Sequence, residues 1–324
     1  MVCYKSHALL VAQPENKRHM LPTRQGSIRL FQLAGITVFL HWSWFLVAAF
    51  EISYRKTNYS SLLWNVLEYL SLFVIVTMHE FGHALACRSV GGRADQVVLW
   101  PLGGVAYVDP PPRAGAVLWS IAAGPLVNVV LFPVLSLGLW LAGSLGWPHA
   151  MPDAYNLLYA TWYINVILLV FNLLPVFPLD GGQILQALLW FVLGRARSLM
   201  VAAVIGILGA AGVAVLAVWA RSIWFGVIAV FIGMNCWRGV QQARALTRLA
   251  AGPRHEDFAC PNCHAAPPQG AFWKCGRCGA VFDTFVTHAV CPNCGTQFDV
   301  TRCLECGELN PISAWSRAVP VPPS

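Results

Sequence analysis

The segment Met78-His79-Glu80-Phe81-Gly82-His83 sets two imidazoles and a carboxylate into an otherwise apolar run. Residues four apart on a helix share a face, so His79 and His83 can offer two nitrogens to one metal ion while Glu80 lies beside them. Zinc suits this set, because it accepts neutral imidazole and carboxylate, keeps a tetrahedral shell and in catalytic sites leaves one position for water. A water on zinc has a pKa of about 7, and Glu80 stands where it can take that proton and pass it to a leaving amine. That is the chemistry of peptide hydrolysis. The competing reading is structural, with all three groups bonded to neighbouring helices. At membrane depth, however, each ionisable group is costly and functional roles are the rule.

Such a site needs a third protein ligand, an acid or histidine within reach of the apolar core. Asp180 is the outstanding candidate, in Asn172-Leu-Leu-Pro-Val-Phe-Pro-Leu-Asp180-Gly181-Gly182. Pro175, Pro178 and the two glycines break a helix there, and irregular backbone at that depth is tolerable only where it is buried in protein or lines a wet cavity. Glu51 and Asp153 fall at the opposite side, Glu68 lies about three turns up the helix from His79, and Asp95 and Asp109 sit in a loop. A helix-capping role is the other reading of Asp180.

The elements that must position these residues follow from composition. Of 324 residues, 57% are hydrophobic and 11% charged, against about 25% charged in an ordinary soluble domain. The charges gather in the first 35 residues and after Arg238, which leaves a mainly helical, polytopic membrane core between polar ends. A span needs roughly 17 to 25 apolar residues. Six segments qualify, at about Ile36–Tyr54, Leu62–Cys87, Gly115–Leu145, Leu157–Val176, Ser198–Ala220 and Ile223–Arg238, the last two separated by a tight hairpin at Arg221. Six spans return both termini to one side. Lys17, Arg18, Arg24 and Arg29 precede the first span, Arg88, Arg93 and Arg113 follow the second, Arg195 and Arg197 the fourth, and Arg238, Arg244, Arg248 and Arg254 the sixth. The positive-inside rule makes that side cytoplasmic. Residues 1–19 show neither a signal-peptide pattern nor periodicity, so Met20 is an alternative start. The net charge of +7 is accounted for by these flanks and does not call for nucleic acid.

Eight of the 11 cysteines form CxxC pairs: Cys260 with Cys263, Cys275 with Cys278, Cys291 with Cys294, and Cys303 with Cys306. In a reducing cytoplasm paired thiolates hold metal more readily than they form disulfides. The spacing predicts a double zinc ribbon with two structural zinc ions. Two successive ribbons would pair Cys260, Cys263, Cys275 and Cys278 on one ion and Cys291, Cys294, Cys303 and Cys306 on the other; a crossed arrangement has the same spacing. From Ala259 onward Lys274, Arg277, Arg302 and Arg317 balance Asp283, Asp299, Glu305 and Glu308, and four thiolates on a divalent ion add negative charge. Phosphate binding by the tail would have little drive, so a protein-docking or regulatory module is expected. Cys3, Cys87 and Cys236 read as ordinary residues.

Taken together the motifs resemble the site-2 protease family of intramembrane metalloproteases. The likeness runs from about Gly35 to Gly239 through Gly35-Ile-Thr-Val-Phe-Leu-His41-Trp42, the HExxH segment, Leu102-Gly103-Gly104-Val-Ala, Ala123-Gly124-Pro125-Leu-Val-Asn128 and Asn172 to Gly182. It implies a zinc endopeptidase with His79, His83 and Asp180 as ligands of one catalytic zinc and Glu80 as base. It further implies Asn172 and Asn128 as residues that hold the substrate backbone, with membrane proteins in the bilayer as substrates. Neither a nucleotide-binding tail nor a PDZ insert is present. The segment Ala94–Asp109, β-branched and aromatic around Pro101 and Gly103-Gly104, predicts a membrane-associated β-hairpin that pairs with unwound substrate. The domain plan is a cytoplasmic segment 1–30, a protease domain 31–240 in a membrane of prokaryotic type, a linker 241–258, the ribbons 259–308 and a tail 309–324. The rival readings are a transporter or channel with a metal-binding cytoplasmic tail, and a protease-like scaffold without activity.

Overall fold

The computed structural model describes residues 3–4, 11–12, 26–54, 59–100 and 103–316. Met20, the arginines and lysines before Gly26, Arg55, Lys56, the Pro101-Leu102 turn and the tail from Arg317 lie outside them. In chain order the elements are β1 (Cys3–Tyr4), β2 (Val11–Ala12), β3 (Ser27–Leu33), β4 (Ile36–His41), α1 (Ser43–Tyr54), α2 (Leu62–Ser89), β5 (Arg93–Trp100), β6 (Gly103–Asp109) and α3 (Ala114–Ser144). There follow α4 (Trp147–Ala150), α5 (Pro152–Leu173), α6 (Asp180–Leu193), α7 (Arg195–Trp219), α8 (Ile223–Ala251), β7 (Trp273–Lys274), β8 (Val281–Phe282), β9 (Val300–Arg302) and β10 (Leu309–Pro311).

Among the described residues five helices, α2, α3, α5, α7 and α8, are long and apolar enough to cross a membrane. Large apolar side chains stand fully outward on them, such as Leu208 at 68% and Trp219 at 82% exposure. In water this surface would be a liability; against lipid it is the expected face. Arg221, in the left-handed region at φ 49°, turns α7 into α8 where the sequence predicted a hairpin.

The first expected span, Ile36–Tyr54, is not one helix. Ile36–His41 is a strand, and the 12 residues of Ser43–Tyr54 make a helix of about 18 Å, short of the roughly 30 Å hydrocarbon core. The reason is local: alternating β-branched and aromatic residues in Ile36-Thr-Val-Phe-Leu favour a strand. Ala34 and Gly35, both at positive φ, also supply a two-residue hairpin turn back onto β3. The chain nevertheless reaches the far side, because Ser60 N donates to Asp153 Oδ1 at 3.1 Å, in the first turn of α5.

Strands β1-β6-β5-β4-β3 form one sheet. β5 and β6 are the expected antiparallel hairpin, and β4 adds to β5 in parallel. The inner face of this sheet packs on α2 and α3, with Ile36, Val38, Val97, Leu99, Ala106 and Val108 against Val76, Phe81, Ala84, Val117 and Ile121. The sheet is thereby fixed against the helix that carries the HExxH segment.

The C-terminal module has β7 paired with β8 and β9 with β10 around Trp273, Phe285 and Trp315. It extends past residue 308, because β10 and Trp315 belong to its core and Ala259 N donates to Trp315 O at 2.8 Å. Residues 309–316, expected as tail, are thus part of the fold. Replacing Trp315 with alanine should cost about 3 to 5 kcal/mol of module stability, seen as loss of protease resistance of the C-terminal fragment while the membrane part is spared. Unchanged resistance would contradict this packing.

Candidate metal centre

His79, Glu80 and His83 lie on one buried stretch of α2, each at most 1% exposed, and Asp180 opens α6 fully buried opposite them. His79 Nε2 stands 3.0 Å and His83 Nε2 3.3 Å from Asp180 Oδ2, and the two Nε2 atoms are 3.1 Å apart. Asp180 Oδ1 is buried with no hydrogen-bond partner. The expected third ligand is therefore brought to the first two from 101 residues along the chain. Its side chain does not cap α6, whose N-cap is Leu179.

What fixes the imidazoles decides what they can bind. Asn128 Nδ2 donates to Asn165 Oδ1 at 2.8 Å, which turns its Oδ1 to His79 Nδ1 at 2.6 Å. A carbonyl oxygen only accepts, so His79 carries its proton on Nδ1. His83 Nδ1 likewise donates to Ser120 O at 2.9 Å. Both Nε2 lone pairs then point at each other and at a carboxylate in a dry interior, an arrangement that repels itself unless a cation occupies it. For bonds of about 2.0 to 2.1 Å, tetrahedral zinc would separate its ligand atoms by about 3.4 Å, close to the spacing found. The donor set fits zinc.

Glycines make the approach possible. A Cβ on Gly124 would lie 2.2 Å from His83 Nε2, and one on Gly82 would lie 2.7 Å from Ala123 O, so α2 and α3 cross here only without side chains. Gly181 and Gly182 are equally confined, with virtual Cβ atoms 2.4 Å from Leu173 O and Phe177 N. That contact folds the Pro175 to Pro178 turn back over the start of α6 and lets Asp180 reach α2.

Glu80 is held by the sheet. Ala106 N in β6 donates to Glu80 Oε2 at 2.8 Å, so the outer edge of the hairpin runs beside the base. Asn172 is buried in the last turn of α5, just before the turn that carries Asp180. Asn128, expected to hold substrate, bonds through its side-chain oxygen to His79 and through its nitrogen to Asn165. Sequence reading missed Asn165 and Ser120, and quoted Gly124 in a motif without giving it a role. A fully buried asparagine within an apolar span was the available signal for Asn165; a backbone carbonyl and an absent side chain leave none.

In the C-terminal module the cysteines group as Cys260, Cys263, Cys303 and Cys306, and as Cys275, Cys278, Cys291 and Cys294. This is the nested arrangement, with the outer pairs together and the inner pairs together, and it replaces the two successive ribbons expected. The physical reason is the shared core: Trp273, Phe285 and Trp315 pack against Cys260 and Cys303, which draws the first and last knuckles together. Sγ atoms lie 3.7 Å apart for Cys260–Cys306 and Cys263–Cys303, 3.6 Å for Cys275–Cys294 and 3.5 Å for Cys278–Cys291. Zinc–sulfur bonds of about 2.3 Å give a tetrahedral edge of about 3.8 Å, so both clusters fit zinc. The Asn293 side chain and the Ala280 N–H bring Cys278 down to about 6, which makes it a thiolate ready for metal at neutral pH.

A model of Peptidase family M50 matches residues 68–216, the stretch that holds every residue of the buried centre. The chain is 37% identical over 180 residues to a zinc metalloprotease of Methanocaldococcus jannaschii, covering 56% of this chain and 50% of that protein. With stage IV sporulation protein FB of Bacillus subtilis it shares 35% identity over 121 residues, 36% of this chain and 38% of that one. Against the solved site-2 protease from Methanocaldococcus jannaschii it is 30% identical, covering 66% of this chain and 95% of that one, with a TM-score of 0.48. Residues 68–216 thus carry a Peptidase family M50 domain.

The domain match bears out the site-2 protease resemblance, and with the five long apolar helices it supports a multi-pass membrane protein whose relatives are named zinc metalloproteases. This M50 chain spans half the length of its Methanocaldococcus relative. Substituting Asn128 with alanine should weaken zinc binding at the M50 centre by about 10- to 100-fold, since it strips the acceptor that sets the His79 tautomer. Zinc titration of protein whose ribbon cysteines are replaced would measure it, and an unchanged affinity would break the link between that amide and the metal.

Proposed function

We propose that this chain is a zinc endopeptidase that hydrolyses peptide bonds of membrane-spanning proteins within or beside the bilayer. The observation that carries the reading is the convergence of His79, His83 and Asp180 on one buried point with Glu80 alongside. When bound there, zinc supplies Lewis acidity and lowers the pKa of a water to about 7. The protein's own part is to keep both imidazoles neutral at Nε2, to exclude bulk water, and to hold a carboxylate that takes a proton and returns it to the leaving amine. The Ala106 N–H steadies Glu80 for that exchange. A transporter has no use for a base set between two ligands in helical register, and a silent scaffold has no need of Glu80 at all.

Substrate must present an extended backbone. The edge of β6 that faces Glu80, on which β1 takes only Tyr107 and Val108 among the described residues, offers one partner for it before Ala106, with Asn172 as a second contact. Alternate residues of a strand turn their N–H groups the same way, so Gly104 shares the edge of Ala106, while Val105 faces β5. The ribbons sit close to this strand: Arg113 Nη2 lies 3.6 Å from Glu308 Oε1, and Gly307 packs on Pro112, in the loop that leaves β6. That contact favours a docking or gating role for the double ribbon over a passive cap. The reading holds one catalytic and two structural zinc ions. It places the ribbon side, lined by Arg88, Arg93, Arg113, Arg195 and Arg197, in the cytoplasm, and relatives in an archaeon and a Bacillus support a prokaryotic membrane.

Glu80→Gln should lower cleavage of a membrane-embedded peptide by about 10²- to 10⁴-fold while the metal content stays the same. Activity that survives this change would end the proposal. Gly104→Pro removes an outward N–H without touching the ladder to β5, and should lower cleavage by about tenfold or more at unchanged zinc content. Full activity of that variant would separate substrate binding from the strand edge.

A further inference from the structure

α8 is longer than a membrane requires. Its 29 residues rise about 43 Å, against a hydrocarbon core of roughly 30 Å, and Arg238 is its first charged residue. The turns beyond Arg238 therefore stand at headgroup depth and just past it. There the helix and the C-terminal module border an open cavity of about 520 Å³, lined among others by Gln241, the exposed Arg244 and Arg248, Leu249, Gln269 and Phe272.

The lining contains two arginines and no acid. Arg244 and Arg248, one helical turn apart, share a face. Among the described residues neither takes part in an ion pair, whereas nearby Arg254 is held by Glu305 at 3.0 Å and by Ala266 O at 2.7 Å. The far wall is fixed: Gln269 N donates to Pro253 O at 2.8 Å, Gln269 Nε2 to Arg254 O at 3.0 Å, and His255 N to Pro267 O at 2.9 Å. One effect opposes an anion, since the C-terminal end of α8 carries about half a negative charge. Two full guanidinium charges outweigh it. Leu249 and Phe272 add an apolar wall suited to the glycerol part of a headgroup rather than to a bare ion.

We infer that this pocket binds a phosphate-bearing anion, the headgroup of an anionic phospholipid or a soluble phosphate ester; a lipid there anchors the ribbon module at the membrane surface. The inference does not depend on the protease reading. Full-length protein purified in neutral detergent is offered dioleoylphosphatidylglycerol or dioleoylphosphatidylcholine, and retained lipid is counted by native mass spectrometry. The anionic lipid should be retained in preference, with a loss of about fivefold for each of Arg244→Gln and Arg248→Gln. Arg93→Gln, on the same side but outside the pocket, should change nothing. Displacement of the lipid by millimolar glycerol 3-phosphate identifies a soluble phosphate ester as the natural occupant, and resistance to it identifies lipid. Equal retention of the two lipids with no binding of glycerol phosphate, or an equal loss in Arg93→Gln, would overturn the inference. Should the arginine variants shed ribbon zinc, Ala245→Trp decides instead: it fills the cavity with both arginines in place, and a preference that survives it counts against the pocket.

Discussion

Two imidazole lone pairs and a carboxylate oxygen, all within 3.3 Å of one another and sealed from water, cannot coexist without a positive charge among them. That electrostatic demand is the constraint on which the membrane core is built. The Asn128 oxygen and the Ser120 carbonyl take the Nδ1 protons and turn both Nε2 atoms inward. Asn165 fixes the orientation of Asn128, so the chain of hydrogen bonds runs through α2, α3 and α5 before it reaches the ligands. Three helices are thus tied to one point by groups that in lipid have no other partner.

Bringing those helices so close removes space for side chains. Gly82 and Gly124 serve the crossing of α2 with α3, and Gly181 and Gly182 serve the fold-back that aims Asp180. The irregular turn from Leu174 to Leu179 is tolerable because α7 and α8 cover it: Cys236 donates to Phe177 O at 2.9 Å, and Gly206 and Gly239 pack against Phe177. The two last helices therefore support Asp180 without adding a donor to the buried cluster. On the opposite flank the sheet does the same for Glu80, through the backbone N–H of Ala106.

The C-terminal module repeats the logic in a different solvent. Its strands are two or three residues long, too short to hold a core by themselves, and the four-thiol clusters supply what the apolar residues cannot. Nesting the clusters joins the first knuckle to the last, so Phe258, Phe285 and Trp315 pack about Cys260 and Cys303, while Phe282 and Phe298 pack about Cys275 and Cys291, and Ile312 touches both cores. A single rigid unit can then rest on Pro112 and Arg113 beside the hairpin, which two loosely joined ribbons could not.

The placing of His79, Glu80 and His83 on one helix stretch, the break before Asp180, the hairpin at Arg221 and the cysteine pairs were all legible in the sequence, because helical spacing, proline and glycine chemistry and thiol spacing are local properties. The first span was misjudged because Ile36–Tyr54 is apolar enough throughout for a helix, while the β-branched alternation of Ile36–His41 becomes a strand in the company of β3 and β5. The partner of each cysteine pair was equally undetermined, since nested and successive arrangements share one spacing and the packing of Trp315 chooses between them. The bond of Asn128 to His79 was not foreseen, and the Ala106 N–H on Glu80 has no side chain through which a sequence could announce it. Residue types and spacing determined which chemistry this chain carries. Which distant groups meet, and which backbone atoms hold them, was decided by long-range packing, because hydrogen-bond direction and helix approach exist only once the chain has closed on itself.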